Sequence, residues 1–300
     1  MDHLRLTAGT LWAAIERQTE HALRCGALQP IDTVQTVIES VGVRFVVRQV
    51  SSLTRKEQQR EQARKLQTQD RPAANPFLPY EPDLFVADIS DTHLALLNKF
   101  NVIDHHLLIV TRDFQRQEAL LTLADFEALM ACMREFDGIG FYNGGPEAGA
   151  SQPHKHLQIV PLPLGDPADA AVPVEHLLAQ ACVEGHRVPG FPFRHAFARI
   201  ALDRADAAHA ALSCYRTLLD SAGLGAIDVD GESCQASPYN LLVTRRWMLV
   251  VPRSAERVDG ISVNALGYAG SLFVRDAVHR ALIERLGPMT VLQRAGVPRP

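Results

Sequence analysis

The sequence predicts an α+β protein, and three observations carry that expectation. Short apolar or β-branched runs recur between Gly- and Pro-rich breaks, at residues 41–50, 94–100, 105–111, 153–160 and 239–252, as strands do. Stretches with helical spacing of apolar residues lie among them, at residues 11–23, 122–136, 205–222 and 264–286. With 47% hydrophobic and 21% charged residues, the 300-residue chain can bury a substantial core, which excludes disorder and fibres.

Residues 11–23 place Leu11, Ala14, Ile15, Gln18, Ala22 and Leu23 on a helical pattern, with Gly26 as its stop. Residues 41–50 alternate, with Val43, Phe45 and Val47 on one side of a half-buried strand and Arg44, Val46 and Arg48 on the other. Residues 54–70 are dense in Arg, Lys, Gln and Glu and read as a solvated helix or loop. Seven bases against two acids between Arg44 and Lys65 make this the strongest local positive excess. Pro72, Pro76, Pro79 and Pro82 then impose an extended, irregular path, after which residues 94–100 and 105–111 read as neighbouring strands. Thr122 opens the clearest helix, with Asp125 in capping-box position and Leu123, Phe126, Met130, Met133 and Phe136 along one side. Gly138, Gly140, Gly144, Gly145 and Gly149 break the pattern before a short strand at residues 153–160, which Pro161, Pro163 and Pro167 end. Residues 164–173 have the Pro, Asp and Ala content of an exposed link, dividing the chain into an N-terminal segment, residues 1–165, and a C-terminal segment, residues 166–300. The C-terminal segment should contain a strand near residues 191–202, a helix at 205–222, a hairpin at 239–252 and a helix at 264–286 closed by Gly287 and Pro288.

Charge and apolar run length narrow the function. A formal charge of −4 lacks the global basic field that would hold nucleic acid or an anionic membrane, so any anionic ligand must meet local positive charge. The longest apolar runs, at residues 107–110 and 248–252, fall far short of the roughly 18 residues of a spanning helix. The first twenty residues offer no apolar block followed by a cleavage site, and a cytoplasmic location is expected. Cys25, Cys132, Cys182, Cys214 and Cys234 are scattered, with no Cys-x-x-Cys pair, and read as reduced thiols.

The chemical centre is the run from Gly149 through Ala150, Ser151, Gln152, Pro153, His154, Lys155, His156, Leu157, Gln158 and Ile159 to Val160. On a strand, the period of two puts His154, His156 and Gln158 on one face and Leu157 and Ile159 on the other, with Lys155 turned away from the histidines. Three readings follow: a polar face without a role, a metal held by paired imidazoles, or a nucleophilic imidazole flanked by orienting groups. The metal reading needs further ligands, and this segment supplies no Cys, Asp or Glu. Neutral imidazole attacks phosphorus well when one nitrogen is fixed as N–H and the other is free, and His156 is the position flanked on both sides. The preceding glycines let backbone N–H groups approach phosphate oxygens, and Ser151 adds a hydroxyl donor.

The run from Phe141 to Gly145 through His154 to Gln158, preceded by Leu97-Asn98-Lys99-Phe100-Asn101-Val102, resembles the ATP adenylyltransferases, or diadenosine tetraphosphate phosphorylases, of the histidine-triad superfamily. The stretches from Tyr239 to Met248 and from Asn264 to Leu272 resemble that family's carboxy-terminal half. The resemblance implies a histidine-triad-like, mainly antiparallel sheet with flanking helices, in which residues 1–165 are the catalytic portion and residues 166–300 complete the same sheet and nucleotide site. It implies phosphorolysis of diadenosine tetraphosphate to ADP and ATP, reversibly, through an adenylyl group on His156. His154 and Gln158 would share the catalytic strand, with Gln158 as a hydrogen-bond donor in place of a third histidine. Asn143 and the loop Gly149, Ala150, Ser151 and Gln152 would hold the polyphosphate, Lys56 and Lys99 would neutralise it beside Asn98, and Met248 and Arg253 would touch substrate. His106 would face the sheet interior as a structural histidine, and Trp12 and Trp247 read as core aromatics, with a nucleobase shelf as the alternative.

The resemblance implies no covalent cofactor and no protein metal site, with a divalent cation such as magnesium accompanying the nucleotide. Diadenosine tetraphosphate, ATP, ADP and phosphate would be the small-molecule partners, and the oligomeric state is left open. Two rivals stand beside it. A sugar-1-phosphate uridylyltransferase-like enzyme shares the His-x-His-x-Gln element, but the cysteine pair or extra histidine cluster of its structural metals is missing here; a nucleotide-binding sensor would keep the fold without turnover. Four of the 30 basic residues are lysines, leaving 26 arginines, and Lys56, Lys99 and Lys155 fall in or beside the segments that resemble the polyphosphate site. A compact ammonium suits a phosphate chain better than a planar guanidinium fork.

Overall fold

The structure is a computed structural model that describes residues 3–50, 75–181, 187–201 and 205–299. Residues 54–70 and Lys56 lie outside the described residues. In chain order the elements are α1 (Leu11–Cys25), β1 (Thr33–Ser40), β2 (Val43–Val50), β3 (Phe85–Asp88), β4 (His93–Leu97), β5 (Leu107–Thr111), α2 (Leu123–Met133), β6 (Gly138–Gly144), β7 (His156–Pro161) and α3 (Glu175–Ala179). They continue with β8 (Ala196–Arg199), α4 (Ala207–Ser221), β9 (Ala226–Val229), β10 (Glu232–Gln235), β11 (Tyr239–Val243), β12 (Trp247–Pro252), β13 (Arg257–Val258), β14 (Ile261–Ser262), α5 (Ala265–Tyr268), β15 (Ser271–Val274), α6 (Ala277–Leu286) and α7 (Pro288–Ala295).

The scaffold is an antiparallel eight-stranded sheet in the order β3-β4-β5-β7-β6-β11-β12-β8. Alternation distributes its side chains between two cores. Leu157 and Ile159 of β7, and Tyr239, Leu241 and Val243 of β11, face the core built with α1, α2 and α4. Val160 and Leu242 face a second core completed by β2, β15 and the carboxy-terminal helices. Both faces are covered over much of the sheet, so β5 and β12 read as near-continuous apolar runs, and β11 does so apart from Asn240.

Local chemistry sets the clearest boundaries. α1 stops at Gly26, whose φ of 79° is open to glycine at little cost. Thr122 and Asp125 form the expected capping box at α2. The glycine run does not interrupt the structure, however: residues 138–144 form the fully buried strand β6. A Cβ at Gly140 would sit 2.8 Å from Leu129 Cδ1, so glycine here admits α2 close to the sheet.

The helix expected at residues 264–286 is also corrected. It is divided into α5 and α6 by β15, which runs parallel to β2 with Ser271 opposite Val46. Gly270 has a φ of 96°, and a Cβ there would meet Pro173 at 2.6 Å. Asn264 caps α5 and Asp276 caps α6, so two helix starts replace one period. Residues 164–173 are exposed at Asp166, Pro167, Ala168 and Ala170 but anchored at both ends: Leu164 and Val172 are buried in the second core, and Arg48 donates to the Leu164 carbonyl. Strands β6 and β11, from either side of that segment, pair directly in the large sheet.

Candidate active site

A cavity of about 630 Å³ opens on the face of the sheet that carries His156 and Gln158. It is bounded by β4 and the turn that follows it, by the loop after β6, and by the β13–β14 hairpin with Asn264 and the end of β15. Its walls are mixed, with Leu84, Phe100 and Ile103 beside Asn98, Asn143 and Ser151.

His156 is held by three contacts. Its backbone N–H donates to Gln117 Oε1 at 2.9 Å, and its Nδ1 lies 2.8 Å from the His154 carbonyl oxygen. A carbonyl only accepts, so Nδ1 carries the proton and Nε2 keeps its lone pair. Phe77 packs against the imidazole with ring centroids 5.4 Å apart. Burial drives the imidazole pKa down to about 4 despite the opposing hydrogen bond to His154, so the ring is neutral at ordinary pH.

His154 was expected to present its ring beside His156, but it contributes its carbonyl. Its Nε2–H donates to the Thr111 carbonyl at 2.8 Å, which leaves Nδ1 to accept from Asn75 Nδ2 at 2.8 Å. Phe77 and Phe114 enclose the ring, which is fully buried and is not among the groups lining the cavity. Burial lowers its pKa as well.

Gln158 lines the cavity at the end of a relay. Asn98 Nδ2 donates to His106 Nδ1 at 3.0 Å, and His106 Nε2–H donates to Gln158 Oε1 at 3.0 Å. With Oε1 engaged, the amide hydrogens of Gln158 remain for a ligand oxygen. His106 therefore orients Gln158, which the pattern of adjacent histidines did not reveal.

Asn143 also reaches the cavity, with Oδ1 accepting from Asn240 Nδ2 at 2.8 Å and from the Ala265 N–H at 3.0 Å. Gly149, Ser151 and Gln152 line the cavity, whereas the Ala150 N–H closes the turn onto Gly145 O at 3.1 Å. Gly149 has a φ of 93°, and a Cβ would press on Asn264 Cβ at 3.1 Å, so glycine lets this loop meet the start of α5. Lys99 lines the cavity and donates from Nζ to Glu81 Oε2 at 2.6 Å.

Two residues expected to touch substrate, Met248 and Arg253, do not line the cavity, and the Lys155 ammonium is engaged elsewhere. Met248 is fully buried in the first core, on the far face from the cavity, because its place in β12 points it toward α4. Arg253 is 2% exposed, and its guanidinium donates to Asn240 Oδ1 at 2.5 Å, to Ala148 O at 3.3 Å and to Ala295 O at 3.1 Å. It braces the loop before Gly149 from behind. Lys155 turns away from the histidines as the strand period requires, but into a buried ion pair with Asp125, 2.8 Å from Nζ to Oδ2. Its ammonium is thus spent on the first core and not on the cavity.

Gln117 is the residue that sequence reasoning missed most completely. Fully buried, it accepts from the His156 N–H and donates from Nε2 to Asn143 O at 2.9 Å, tying β7 to β6 at the site. Arg257, Phe273, Arg275 and His279 also line the cavity without having been singled out. Trp12 and Trp247 are core aromatics, packed against Phe136 and Phe197 respectively.

Comparison with known proteins places this geometry. Residues 1–180 match the model of the Ap4A phosphorylase N-terminal domain, and residues 189–298 match that of the ATP adenylyltransferase C-terminal domain. The Saccharomyces cerevisiae protein "Diadenosine 5',5'''-P1,P4-tetraphosphate phosphorylase 2" is 30% identical over 237 residues, 69% of this chain and 70% of that protein. Protein APA1 of the same yeast is 30% identical over 226 residues, 68% of each chain. The crystal structure of yeast Ap4A phosphorylase Apa2 superposes with a TM-score of 0.78 at 24% identity, covering 98% of this chain and 96% of that one. The structure of Apa2 in complex with Ap4A gives 0.77 at 23% identity, covering 98% and 99%. With both halves of the family accounted for and its fold reproduced across the chain, this protein belongs to the Ap4A phosphorylase and ATP adenylyltransferase family.

Proposed function

We propose that the protein catalyses phosphorolysis of diadenosine tetraphosphate, with His156 as the nucleophile. The observation that carries the reading is the proton lock on His156: Nδ1–H bonded to the His154 carbonyl, Nε2 free, and burial holding the ring neutral. Nε2 attacks the α-phosphorus, a P–N bond forms, and the bond to the bridging oxygen breaks to release ATP. A phosphate oxygen then attacks the adenylyl-histidine, forming ADP and returning Nε2. No general acid is needed for a polyphosphate leaving group, which suits a site where glutamine stands at position 158. The Gln158 amide, the Asn143 amide and the N–H groups of Ser151 and Gln152 supply donors to the non-bridging oxygens, and Lys99 supplies charge.

Glu81 and Glu256 line the cavity, and Glu81 is already paired with Lys99, so a resident ion finds no carboxylate cluster among the described residues of the lining. A divalent cation such as magnesium enters on the polyphosphate, as part of the substrate. No helix among the described residues is long and apolar enough to cross a membrane. A cytoplasmic location is proposed from the nucleotide substrates that this reading assigns.

The test is incubation with diadenosine tetraphosphate, with and without inorganic phosphate. ADP and ATP in equal amounts, formed only with phosphate, are expected. AMP formed without phosphate would make the protein a hydrolase, and absence of any product would overturn the reading. Run in reverse, the second step transfers AMP from ADP to the enzyme, so radiolabel at the α-phosphorus of ADP should be trapped on the wild-type chain and absent from His156→Ala.

A further inference from the structure

We propose that the structure holds a second, separate site, for a zinc-type transition-metal ion, formed by His21, Cys25 and Asp83 on the outer face of α1. His21 and Cys25 are four residues apart on one helix, which sets their side chains on the same face one turn apart. Asp83 sits on the 3₁₀ turn Pro82–Leu84 that packs against that face, and His21 Nε2 lies 2.7 Å from Asp83 Oδ1. One ligand atom from each residue lies within 4.8 Å of the others. The edges of a tetrahedral zinc site are between about 3 and 4 Å, so a small contraction of the cysteine rotamer and a small opening of the His–Asp contact admit an ion.

The donor set of thiolate, imidazole and carboxylate belongs to borderline ions such as zinc and cobalt and not to magnesium or calcium. Three further features suit a cation. Gln18 Nε2 donates to Asp83 O at 2.6 Å, holding the turn against the helix before any ion arrives. Cys25 is the last residue of α1, where unpaired carbonyls make the helix end negative. The side chains of His21 and Asp83 are 45% and 50% exposed and Cys25 is exposed beside them, so the ion has a path in and solvent can occupy the fourth position. Binding releases the Cys25 thiol proton to solvent, breaks the thiol's hydrogen bond to the Ala22 carbonyl and the His21–Asp83 hydrogen bond, and forms metal–sulfur, metal–nitrogen and metal–oxygen bonds. The ion would cross-link α1 to the turn that carries Glu81, the partner of Lys99 at the cavity rim.

The full chain is titrated with Co²⁺ under reducing conditions and then with Zn²⁺ as competitor. One equivalent should produce a thiolate-to-cobalt charge-transfer band in the near ultraviolet, which zinc abolishes. Cys25→Ser should remove the band, and His21→Ala should weaken binding beyond the ~10–100-fold that even an indirect partner contributes. Cys214→Ser should leave the band unchanged. A d–d spectrum without a thiolate band, or a band that survives Cys25→Ser, overturns the site. Because the readout is spectroscopic, it stands or falls independently of phosphorolysis.

Discussion

Replacing Lys155 by methionine isolates the group that the chain invests behind its catalytic strand. Lys155 and Asp125 are 0% and 1% exposed, and Nζ donates to Asp125 Oδ2 at 2.8 Å, Leu120 O at 3.1 Å and Gln115 Oε1 at 3.3 Å. Asp125 accepts also from the Thr122 N–H at 2.7 Å and lies 3.1 Å from His93 Nε2. At 2.8 Å and an effective dielectric constant of ~20 the gross attraction is about 6 kcal/mol, most of it offset by desolvation of both charges. Removing one partner leaves the other charge buried, so Lys155→Met should lower unfolding free energy by ~3–5 kcal/mol. Adding Asp125→Asn to Lys155→Met removes the orphan charge while an amide oxygen still accepts from Thr122, and should recover ~1–3 kcal/mol in a double-mutant cycle. Urea unfolding followed by circular dichroism measures both. A cost below ~1 kcal/mol for Lys155→Met, or no recovery in the double variant, would refute the reasoning.

Three further outcomes follow from the site. Because burial depresses the His156 pKa to about 4, kcat/KM should stay level as pH falls from ~8 to ~5 and drop only as the ring gains its proton near that lower value; a midpoint near ~6.5 in initial rates would mean a solvated imidazole. Gln117→Leu releases the His156 backbone and orphans the Asn143 carbonyl, and should cut kcat by up to ~100-fold while KM changes little; an unchanged kcat would show that the clamp is dispensable. Lys99→Met removes a positive charge at the cavity rim and leaves Glu81 unpaired, so KM for the dinucleotide should rise by ~10-fold, read from steady-state kinetics, and Lys99→Arg should restore only part of it.

What could be read from the chain was local. The capping box at Thr122 and Asp125, the stop at Gly26 and the hairpin at residues 239–252 are each written in a few consecutive residues. So is the alternation that sends His156 and Gln158 to the cavity and Lys155 to the opposite face. Errors arose where long-range packing outweighed local signals. Glycines that usually mark turns form β6, because α2 must approach the sheet at Gly140. A helical period at residues 264–286 is broken by a strand whose partner lies more than two hundred residues earlier.

The same division runs through the site. By itself the sequence determined the family resemblance, the nucleophile candidate and the loop of donors before it, because covalent chemistry and strand period act over neighbouring positions. Only the tertiary structure decided which groups hold that nucleophile: the carbonyl of His154 in place of its ring, Gln117 from a distant turn, and His106 behind Gln158. It also withdrew Met248 and Arg253 from the substrate and gave Lys155 to Asp125. The reason is physical: a buried polar group must find its hydrogen-bond partner wherever folding brings one, and that partner carries no mark in the chain.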